Sequence, residues 1–213
     1  MLEPLTLPGA ELRLDPVWLP AAEADRLFDL LRAGLPWENH PVRLFGREVP
    51  APRLSCWMGD AAYRYSGLVR VPRPWTPALD ALRARLAAEL DVPFNSVLAN
   101  LYRDGADAMG WHADDEAELG PAPVIASVSL GATRRFLLRA RHGPARLALD
   151  LPHGSLLVMA GATQATCRHA LPRTRRPVGP RINLTFRHVV HDADASRREL
   201  SHPRGSGRGA PRT

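Results

Sequence analysis

Hydrophobic residues recur with a helical period in only two stretches of the chain. Residues 20–31 place three leucines on one stripe, with Pro20 near the first turn and Gly34 just past the end. Residues 76–90 begin with Thr-Pro and then repeat leucine along one face. The sequence therefore predicts two amphipathic helices, with irregular strands and loops in residues 37–75, where a helical period is lacking.

From residue 97 onward the pattern changes to short apolar or alternating runs that Gly and Pro separate. Such runs are typical of strands joined by turns. The 21 Pro and 16 Gly also favour β structure over a helical bundle. We therefore expect a mainly β (α+β) fold with flanking helices and a sandwich or jelly-roll core. The predicted strands cover residues 97–103, 124–130, 135–139, 146–151, 155–159 and 182–190.

Length and composition limit the class of protein. The 213 residues, 45% hydrophobic and 23% charged, are enough for one globular domain. We expect neither a signal peptide nor a membrane span, because a basic start before an apolar core and a run of about 18 apolar residues are both missing. Cys56 and Cys167 are too few for a disulfide framework or a Cys-based zinc site. We therefore expect a cytoplasmic protein.

The chain divides into an expected domain and an expected tail. Residues 191–213 are rich in Arg, Ser, Gly and Pro, which predicts a disordered basic tail. Residues 1–190 are expected to form a single, monomeric domain with its β core in residues 97–190. All 28 basic residues are Arg and the net charge is +6. This charge favours a polyanionic or acidic partner, although genome composition alone can also replace Lys by Arg.

His112-Ala113-Asp114 places two potential metal ligands two residues apart, and in an extended backbone both point the same way. A third ligand has to come from a distant strand, and His169 is the candidate. His153 competes for this role, but it lies between Pro and Gly and is interpreted as a turn residue. Two histidines and a carboxylate form the facial triad of non-haem Fe(II) oxygenases. The pattern alone is equally compatible with a surface histidine and a turn aspartate.

Two predicted strands carry polar residues at alternate positions. If residues 181–187 are a strand, one face is apolar and the other carries two arginines that flank an amide and a hydroxyl. Each guanidinium can form a bidentate pair with a carboxylate, which suits a dicarboxylate ligand, although a half-exposed strand explains the same pattern. An N-x-Y pair has the same spacing in the strand at 97–103. The polar residues are Asn100, Tyr102, Arg181, Asn183, Thr185 and Arg187.

Four motifs occur along the chain in this order: N-x-Y, H-x-D, a distal His and R-x-N-x-T-x-R. Together they resemble the AlkB family of Fe(II)/2-oxoglutarate dioxygenases. Residues 37–190 carry the likeness, which is greatest for the branch that repairs alkylated bases in double-stranded DNA. The resemblance implies a double-stranded β-helix (jelly-roll) core, N-terminal helices and a nucleotide-recognition lid within residues 37–95. One departure is Cys167, which stands where relatives usually have Trp; we expect an inert buried thiol.

For the cofactors, the resemblance implies Fe(II), 2-oxoglutarate and O2. The H-x-D pair and the distal histidine ligate iron in this interpretation. The first arginine of the last motif, with the tyrosine, holds the distal carboxylate of 2-oxoglutarate, and the second arginine holds the carboxylate near the metal. The implied iron ligands are His112, Asp114 and His169, and the implied 2-oxoglutarate pocket is Asn100, Tyr102, Arg181, Asn183, Thr185 and Arg187.

For the substrate, the resemblance implies DNA with a flipped-out alkylated base, and RNA as a second candidate. Tyr65 would stack on the base, Asp115 would accept a hydrogen bond from its exocyclic amine, and a Phe-Gly-Arg loop would probe the duplex. The implied substrate residues are Phe45, Gly46, Arg47, Tyr63, Arg64, Tyr65 and Asp115. The arginines expected to contact phosphates are Arg43, Arg47, Arg53, Arg64, Arg139 and Arg141.

The implied activity is oxidative demethylation of 1-methyladenine and 3-methylcytosine in DNA, with release of succinate, CO2 and formaldehyde. This is direct-reversal DNA repair. Acidic residues around the H-x-D motif, between residues 104 and 118, would suit a cationic methylated base, or they form a solvated loop. Two alternatives stay open: the same chemistry on RNA or a protein, and a non-catalytic basic nucleic-acid-binding β domain with structural His and Asp.

Overall fold

A computed structural model describes residues 1–44, 47–60, 63–65, 68–70 and 72–190 of the chain. For the described residues between 42 and 48 and between 63 and 70, the structure describes the backbone alone. Outside the described residues lie the expected tail at 191–213, the predicted lid residues Phe45 and Gly46, and a few neighbours.

Both helices lie where the leucine pattern predicts them. Helix α1 spans Ala21–Gly34 and helix α2 spans Pro77–Leu90. Thr76 is the N-cap of α2, because its hydroxyl accepts a hydrogen bond from the Leu79 amide at 3.4 Å. Helix α1 includes Gly34, which we expected just beyond its end. Within the described residues, no helix is long and apolar enough to cross a membrane.

About half of the described chain outside these helices forms antiparallel strands. The short helix α3 (Thr163–Thr166) and a 3-10 turn at Ala117–Leu119 complete the secondary structure. The strands are β1 (Glu3–Leu5), β2 (Glu11–Asp15), β3 (Val42–Leu44), β4 (Arg47–Val49), β5 (Leu54–Gly59), β6 (Tyr63–Tyr65), β7 (Leu68–Arg70), β8 (Ser96–Tyr102), β9 (Met109–His112), β10 (Ile125–Gly131), β11 (Arg134–Ala140), β12 (Arg146–Leu151), β13 (Ser155–Ala160), β14 (Cys167–Leu171) and β15 (Arg181–Arg187).

Two main sheets contain most of these strands. The larger sheet has the order β1-β2-β13-β10-β15-β8-β5, and the smaller sheet has the order β12-β11-β14-β9. Strands β3 and β4 form one separate hairpin, and β6 and β7 form another. Two facing antiparallel sheets with crossovers between them agree with the predicted jelly-roll core.

Alternation along β8, β10 and β15 separates an apolar layer from a polar one. On β15, Ile182, Leu184 and Phe186 are buried in a cluster that includes residues of both helices, such as Leu31 and Leu86. The alternate residues of β15 are polar and line a cavity. The helices therefore cover one face of the larger sheet, and the opposite face turns toward the smaller sheet.

A second apolar cluster fills part of the space between the sheets. It includes Ile125 and Leu157 from the larger sheet and Leu138, Leu151 and Cys167 from the smaller one. Cys167 is 2% exposed and has a free thiol, as expected for a buried structural cysteine. The rest of the space between the sheets is occupied by the cavity described below.

The six predicted strands all appear: β12 has the predicted ends, and the ends of the others differ from the prediction by at most three residues. The largest difference is β15, which ends at Arg187, whereas we expected residue 190 to end it. Strands β9 and β14 were not predicted, because Met109–His112 and Cys167–Leu171 are short and do not alternate between apolar and polar residues. These two strands carry both histidines of the candidate metal site.

Candidate active site

His112 and His169 face each other on neighbouring strands. His112 ends β9, and its Cα partner on β14 is His169, beside a register shift that precedes Leu171. Their ring centroids are 4.2 Å apart. Asp114 follows two residues after His112, and one ligand atom from each of the three residues lies within 4.8 Å of the others. The structure therefore brings the three predicted ligands together at one point.

Hydrogen bonds and burial set the protonation of the two imidazoles. Nδ1 of His112 lies 2.8 Å from the Gly110 carbonyl oxygen, which can only accept, so Nδ1 is the donor and Nε2 is the nitrogen that carries the lone pair in the neutral ring. Burial, with the neighbouring His112, lowers the pKa of His169 to about 3. Both rings can thus offer a neutral nitrogen to a metal ion.

Asp114 is held from two sides. Its backbone amide donates a hydrogen bond to Oε1 of Gln164 at 3.0 Å, and its Oδ2 lies 2.7 Å from Nη2 of Arg187. Burial alone would raise the pKa of Asp114, but the Arg187 guanidinium and the two histidines outweigh it and keep the pKa below its usual value. Asp114 is therefore a buried, ionised carboxylate beside the two histidines.

The opposite wall of the cavity is the polar face of β15 and β8. Arg181 pairs across the strands with Tyr102, and Asn183 pairs with Asn100. Asn183 also donates to the Ser127 hydroxyl at 2.8 Å and accepts from Thr185. The predicted pocket residues therefore share one face of the larger sheet.

Arg181 is a buried cation at one end of this wall. It is 2% exposed, and its Nη2 donates to the hydroxyl of Ser129 at 2.9 Å. Its Nε has no hydrogen-bond partner among the described residues. Burial lowers the pKa of Arg181 to about 10, so the guanidinium remains charged at neutral pH. A buried guanidinium with spare donors fits an anionic group in the cavity.

The cavity has a volume of about 510 Å³, including the part open to solvent. Its polar residues lie on one wall and around the histidines, and apolar side chains complete the lining. The described lining residues are Leu98, Asn100, Tyr102, Met109, His112, Asp114, Ser127, Phe136, Met159, His169, Leu171, Arg181, Asn183, Thr185 and Arg187. All nine residues predicted to hold iron or 2-oxoglutarate are in this lining.

Two residues near the site were placed wrongly or missed by the sequence analysis. Arg53 was expected on a phosphate, but it is 7% exposed and its Nε donates to Oδ1 of Asn100 at 2.8 Å. Gln164 was not predicted, although it is 2% exposed and bonds the Asp114 amide. Both contacts join residues about 50 positions apart, which local sequence patterns do not indicate.

Three of the acidic residues near His112 are paired with arginine. Asp107 is bonded by Arg103, and Asp115 is bonded by Arg141. Asp114 is bonded by Arg187. Three residues of the expected acidic cluster are therefore in ion pairs, and of these three only Asp115 has a largely exposed carboxylate.

The other predicted substrate residues lie at the limits of the described chain. Phe45 and Gly46 lie outside it, and the described backbone places the remainder in two hairpins. His153 and His188 are not in the described cavity lining; His153 Nδ1 accepts from the Gly131 amide, and His188 bonds the Pro93 carbonyl. The residues in the hairpin strands β4 and β6 are Arg47, Tyr63, Arg64 and Tyr65.

A family described as the 2OG-Fe(II) oxygenase superfamily matches residues 11–187. DNA oxidative demethylase ALKBH2 of Mus musculus is 41% identical over 182 residues, which are 79% of this chain and 76% of that protein. The chain belongs to the AlkB branch of this superfamily. The predicted family and its cofactors, Fe(II) and 2-oxoglutarate, are thereby confirmed, and the buried His-Asp-His donors fit a divalent iron ion.

Other AlkB relatives support the same family membership. Alpha-ketoglutarate-dependent dioxygenase alkB homolog 3 of Mus musculus is 40% identical over 189 residues, 84% of this chain and 66% of that protein. The chain thus spans slightly less than two thirds of that relative's length. The solved structure of OsALKBH1 shares the fold, with a TM-score of 0.60 at 17% identity, and covers 90% of this chain and 100% of its own.

Proposed function

We propose that this AlkB protein oxidatively demethylates N-alkylated bases in DNA, such as 1-methyladenine and 3-methylcytosine, with Fe(II), 2-oxoglutarate and O2. One observation carries the proposal: a His-Asp-His cluster within 4.8 Å shares a cavity with two buried arginines. The sequence relatives support the DNA substrate, since ALKBH2 is named a DNA oxidative demethylase. Residues 1–190 would act as a single domain.

The proposed roles of the cavity residues follow from their positions. His112, Asp114 and His169 would supply three ligand atoms to the iron. Arg181, at the Tyr102 end of the polar wall, would bind the distal carboxylate of 2-oxoglutarate. Arg187, next to Asp114, would bind the carboxylate close to the metal.

When bound, the iron with 2-oxoglutarate and O2 supplies an oxidant that hydroxylates the N-methyl carbon, and the products are succinate, CO2, formaldehyde and the unmodified base. The chain's own residues orient the two substrates and limit water. Phe136, Met159 and Leu171 contribute apolar surface to the cavity lining. A base inside a duplex cannot enter this cavity, so the base would have to be flipped out.

A row of arginines on the outer face of the smaller sheet supports a polyanionic substrate. Arg139 lies directly opposite Arg146 on β12 and opposite Arg168 on β14. Like charges directly across strands destabilise a sheet, so this arrangement favours a bound anion. Trp111 lies beside the row, with the Arg139 guanidinium 4.3 Å from the centre of its ring. We infer that this outer arginine row contacts the phosphate backbone.

Formaldehyde release from a duplex with one 3-methylcytosine tests the proposal. Release is expected only when Fe(II) and 2-oxoglutarate are both present, together with an equal amount of succinate. The same lesion in RNA and a methylated peptide would be assayed in parallel. Comparable turnover on RNA would contradict the DNA preference. The absence of both iron binding and succinate formation would support the non-catalytic alternative.

A pair of histidine variants controls for damage to the fold. His169→Ala removes a proposed ligand, and we expect loss of both products. His188→Ala removes a histidine outside the cavity lining, one that bonds the Pro93 carbonyl at 2.7 Å, and should keep turnover. Full activity in His169→Ala would refute the metal site.

A further inference from the structure

Arg134 is a buried arginine that neither the motifs nor the cavity lining include. It begins β11, is 2% exposed, and donates three hydrogen bonds to backbone carbonyl oxygens. Nη1 bonds Asp104 at 2.9 Å, and Nη2 bonds Asp107 at 2.9 Å and Pro172 at 2.8 Å. Its charge is thus taken up by neutral groups at close range, with no carboxylate bonded to it in these contacts.

The three carbonyl groups belong to the segments that carry the candidate site. Asp104 and Asp107 lie between β8, which ends at Tyr102, and β9, which ends at His112. Pro172 directly follows β14, which carries His169. One guanidinium therefore ties together the end of β8, the start of β9 and the end of β14, the strands that carry Tyr102, His112 and His169.

Arg134 also acts on Tyr102 and Arg181. Its Cζ lies 5.9 Å from the centre of the Tyr102 ring, and Cζ of Arg181 lies 5.4 Å from the same centre. Two buried guanidinium groups thus contact one phenol ring, with ring contacts that are electrostatically favourable. After burial, the positive charge of Arg134 is a further cause of the lowered pKa of Arg181.

We propose that Arg134 is a positioning residue for 2-oxoglutarate: it fixes the Tyr102 ring and adds positive charge behind the pocket end that holds the distal carboxylate. This inference rests on the proposed assignment of the Arg181 and Tyr102 end to that carboxylate. A dicarboxylate gains from both buried cations, because this end of the cavity is buried and screening by water is weak there.

The test measures the dissociation constant of 2-oxoglutarate by calorimetry, with Mn(II) in place of iron so that no turnover occurs. Arg134→Met should raise this constant roughly three- to tenfold, the range for coupled neighbours. Steady-state assays with iron should show a raised KM for 2-oxoglutarate and a kcat within about twofold of the parent. A purely structural role would instead lower the active fraction and leave KM unchanged.

Arg135→Met is the matched control on the same strand, because Arg135 is exposed and pairs with Asp150 on the surface. It should leave the 2-oxoglutarate constant unchanged. Arg134→Lys keeps the charge but not the planar fork, and should bind 2-oxoglutarate more tightly than Arg134→Met. It also serves as the test variant if the methionine variant does not fold.

Arg181→Met and Tyr102→Phe separate the possible failures. If Arg181→Met leaves 2-oxoglutarate binding unchanged, the assignment of the pocket end is wrong. If Arg181→Met weakens binding but folded Arg134 variants bind like the parent, only the role of Arg134 is refuted. The effect of Arg134→Met should also shrink in a Tyr102→Phe background; equal effects in both backgrounds would overturn action through Tyr102.

Discussion

Arg187 and Asp114 form an ion pair that is almost completely buried, with Nη2 and Oδ2 2.7 Å apart. One partner is a proposed iron ligand and the other a proposed 2-oxoglutarate ligand. The pair therefore links the two halves of the proposed site before either ligand binds. A change to either residue should therefore affect both iron binding and 2-oxoglutarate binding.

Asp114→Ala should abolish turnover and leave nucleic-acid binding intact, because the deleted carboxylate faces the cavity and not the outer arginine row. It should also lower the free energy of unfolding by about 3–5 kcal/mol, since Arg187 is left buried without this carboxylate. Urea unfolding and succinate assays measure the two effects. Asp150→Ala, which breaks an exposed pair with Arg135, should cost less than about 1 kcal/mol. Parent-like turnover in Asp114→Ala would refute the triad.

Arg187→Met should raise the 2-oxoglutarate concentration needed for half-maximal succinate formation by about tenfold or more, because the variant cannot form a charge-assisted hydrogen bond to the carboxylate. It should also weaken Mn(II) binding, since Asp114 no longer has the cation that orients it. Arg135→Met again provides the control. An unchanged 2-oxoglutarate requirement would remove Arg187 from the pocket.

Substitutions at Cys167 test the packing between the two sheets. Cys167→Ala removes one sulfur from the cluster with Leu138 and Met159 and should cost about 1 kcal/mol of stability. Cys167→Trp adds bulk to a filled site and should cost about 1–3 kcal/mol or more. Thermal unfolding measures both. Unchanged turnover by Cys167→Ala is the expected sign of an inert thiol, and a large loss with normal stability would contradict it.

The free energy of unfolding should fall in acid as the Asp107 carboxylate becomes protonated. The Arg103 guanidinium, which bonds its carboxylate at 2.8 Å, is the main reason that the pKa of Asp107 lies below its usual value. A carboxyl with a lowered folded-state pKa adds stability above its unfolded pKa, about 3.9, and loses that contribution as the pH falls through the folded value. Asp107→Asn should therefore flatten stability against pH below about 4. Asp104→Asn is the control, and an equal effect of both variants would contradict the prediction.

The outer arginine row should determine how nucleic-acid binding depends on salt. Replacing Arg139 or Arg168 by Gln should weaken binding and reduce the slope of log affinity against log salt by about 1 for each phosphate that the protein no longer neutralises. Fluorescence anisotropy with a labelled duplex measures this slope. Arg26→Gln, on the exposed side of α1, should change nothing. The same slope in all three variants would place the phosphate contacts elsewhere.

Much of the cavity wall could be predicted from the sequence because strands alternate. The R-x-N-x-T-x-R motif puts its polar residues on one face as soon as residues 181–187 are recognised as a strand. The same holds for Asn100 and Tyr102 on β8. In contrast, the sequence alone left both His169 and His153 as candidates for the third ligand, because β9 and β14 are too short to show a period.

The residues that the sequence analysis misplaced or missed act over long separations. Arg53, Arg134 and Gln164 look like ordinary surface residues in the sequence, and each becomes buried only when a distant segment packs against it. Arg53 reaches Asn100, and Gln164 reaches Asp114. Such contacts depend on the closed two-sheet arrangement, which no local pattern contains.

The opposed arginines Arg139, Arg146 and Arg168 leave the free protein with an internal repulsion that a polyanion relieves. Binding of a nucleic acid to the outer arginine row should then stabilise the protein. The melting temperature should rise when a nucleic acid binds, even one without a lesion. The protein should have its lowest melting temperature when free and its highest when bound to nucleic acid. The melting temperature can therefore report the fraction of protein that is bound.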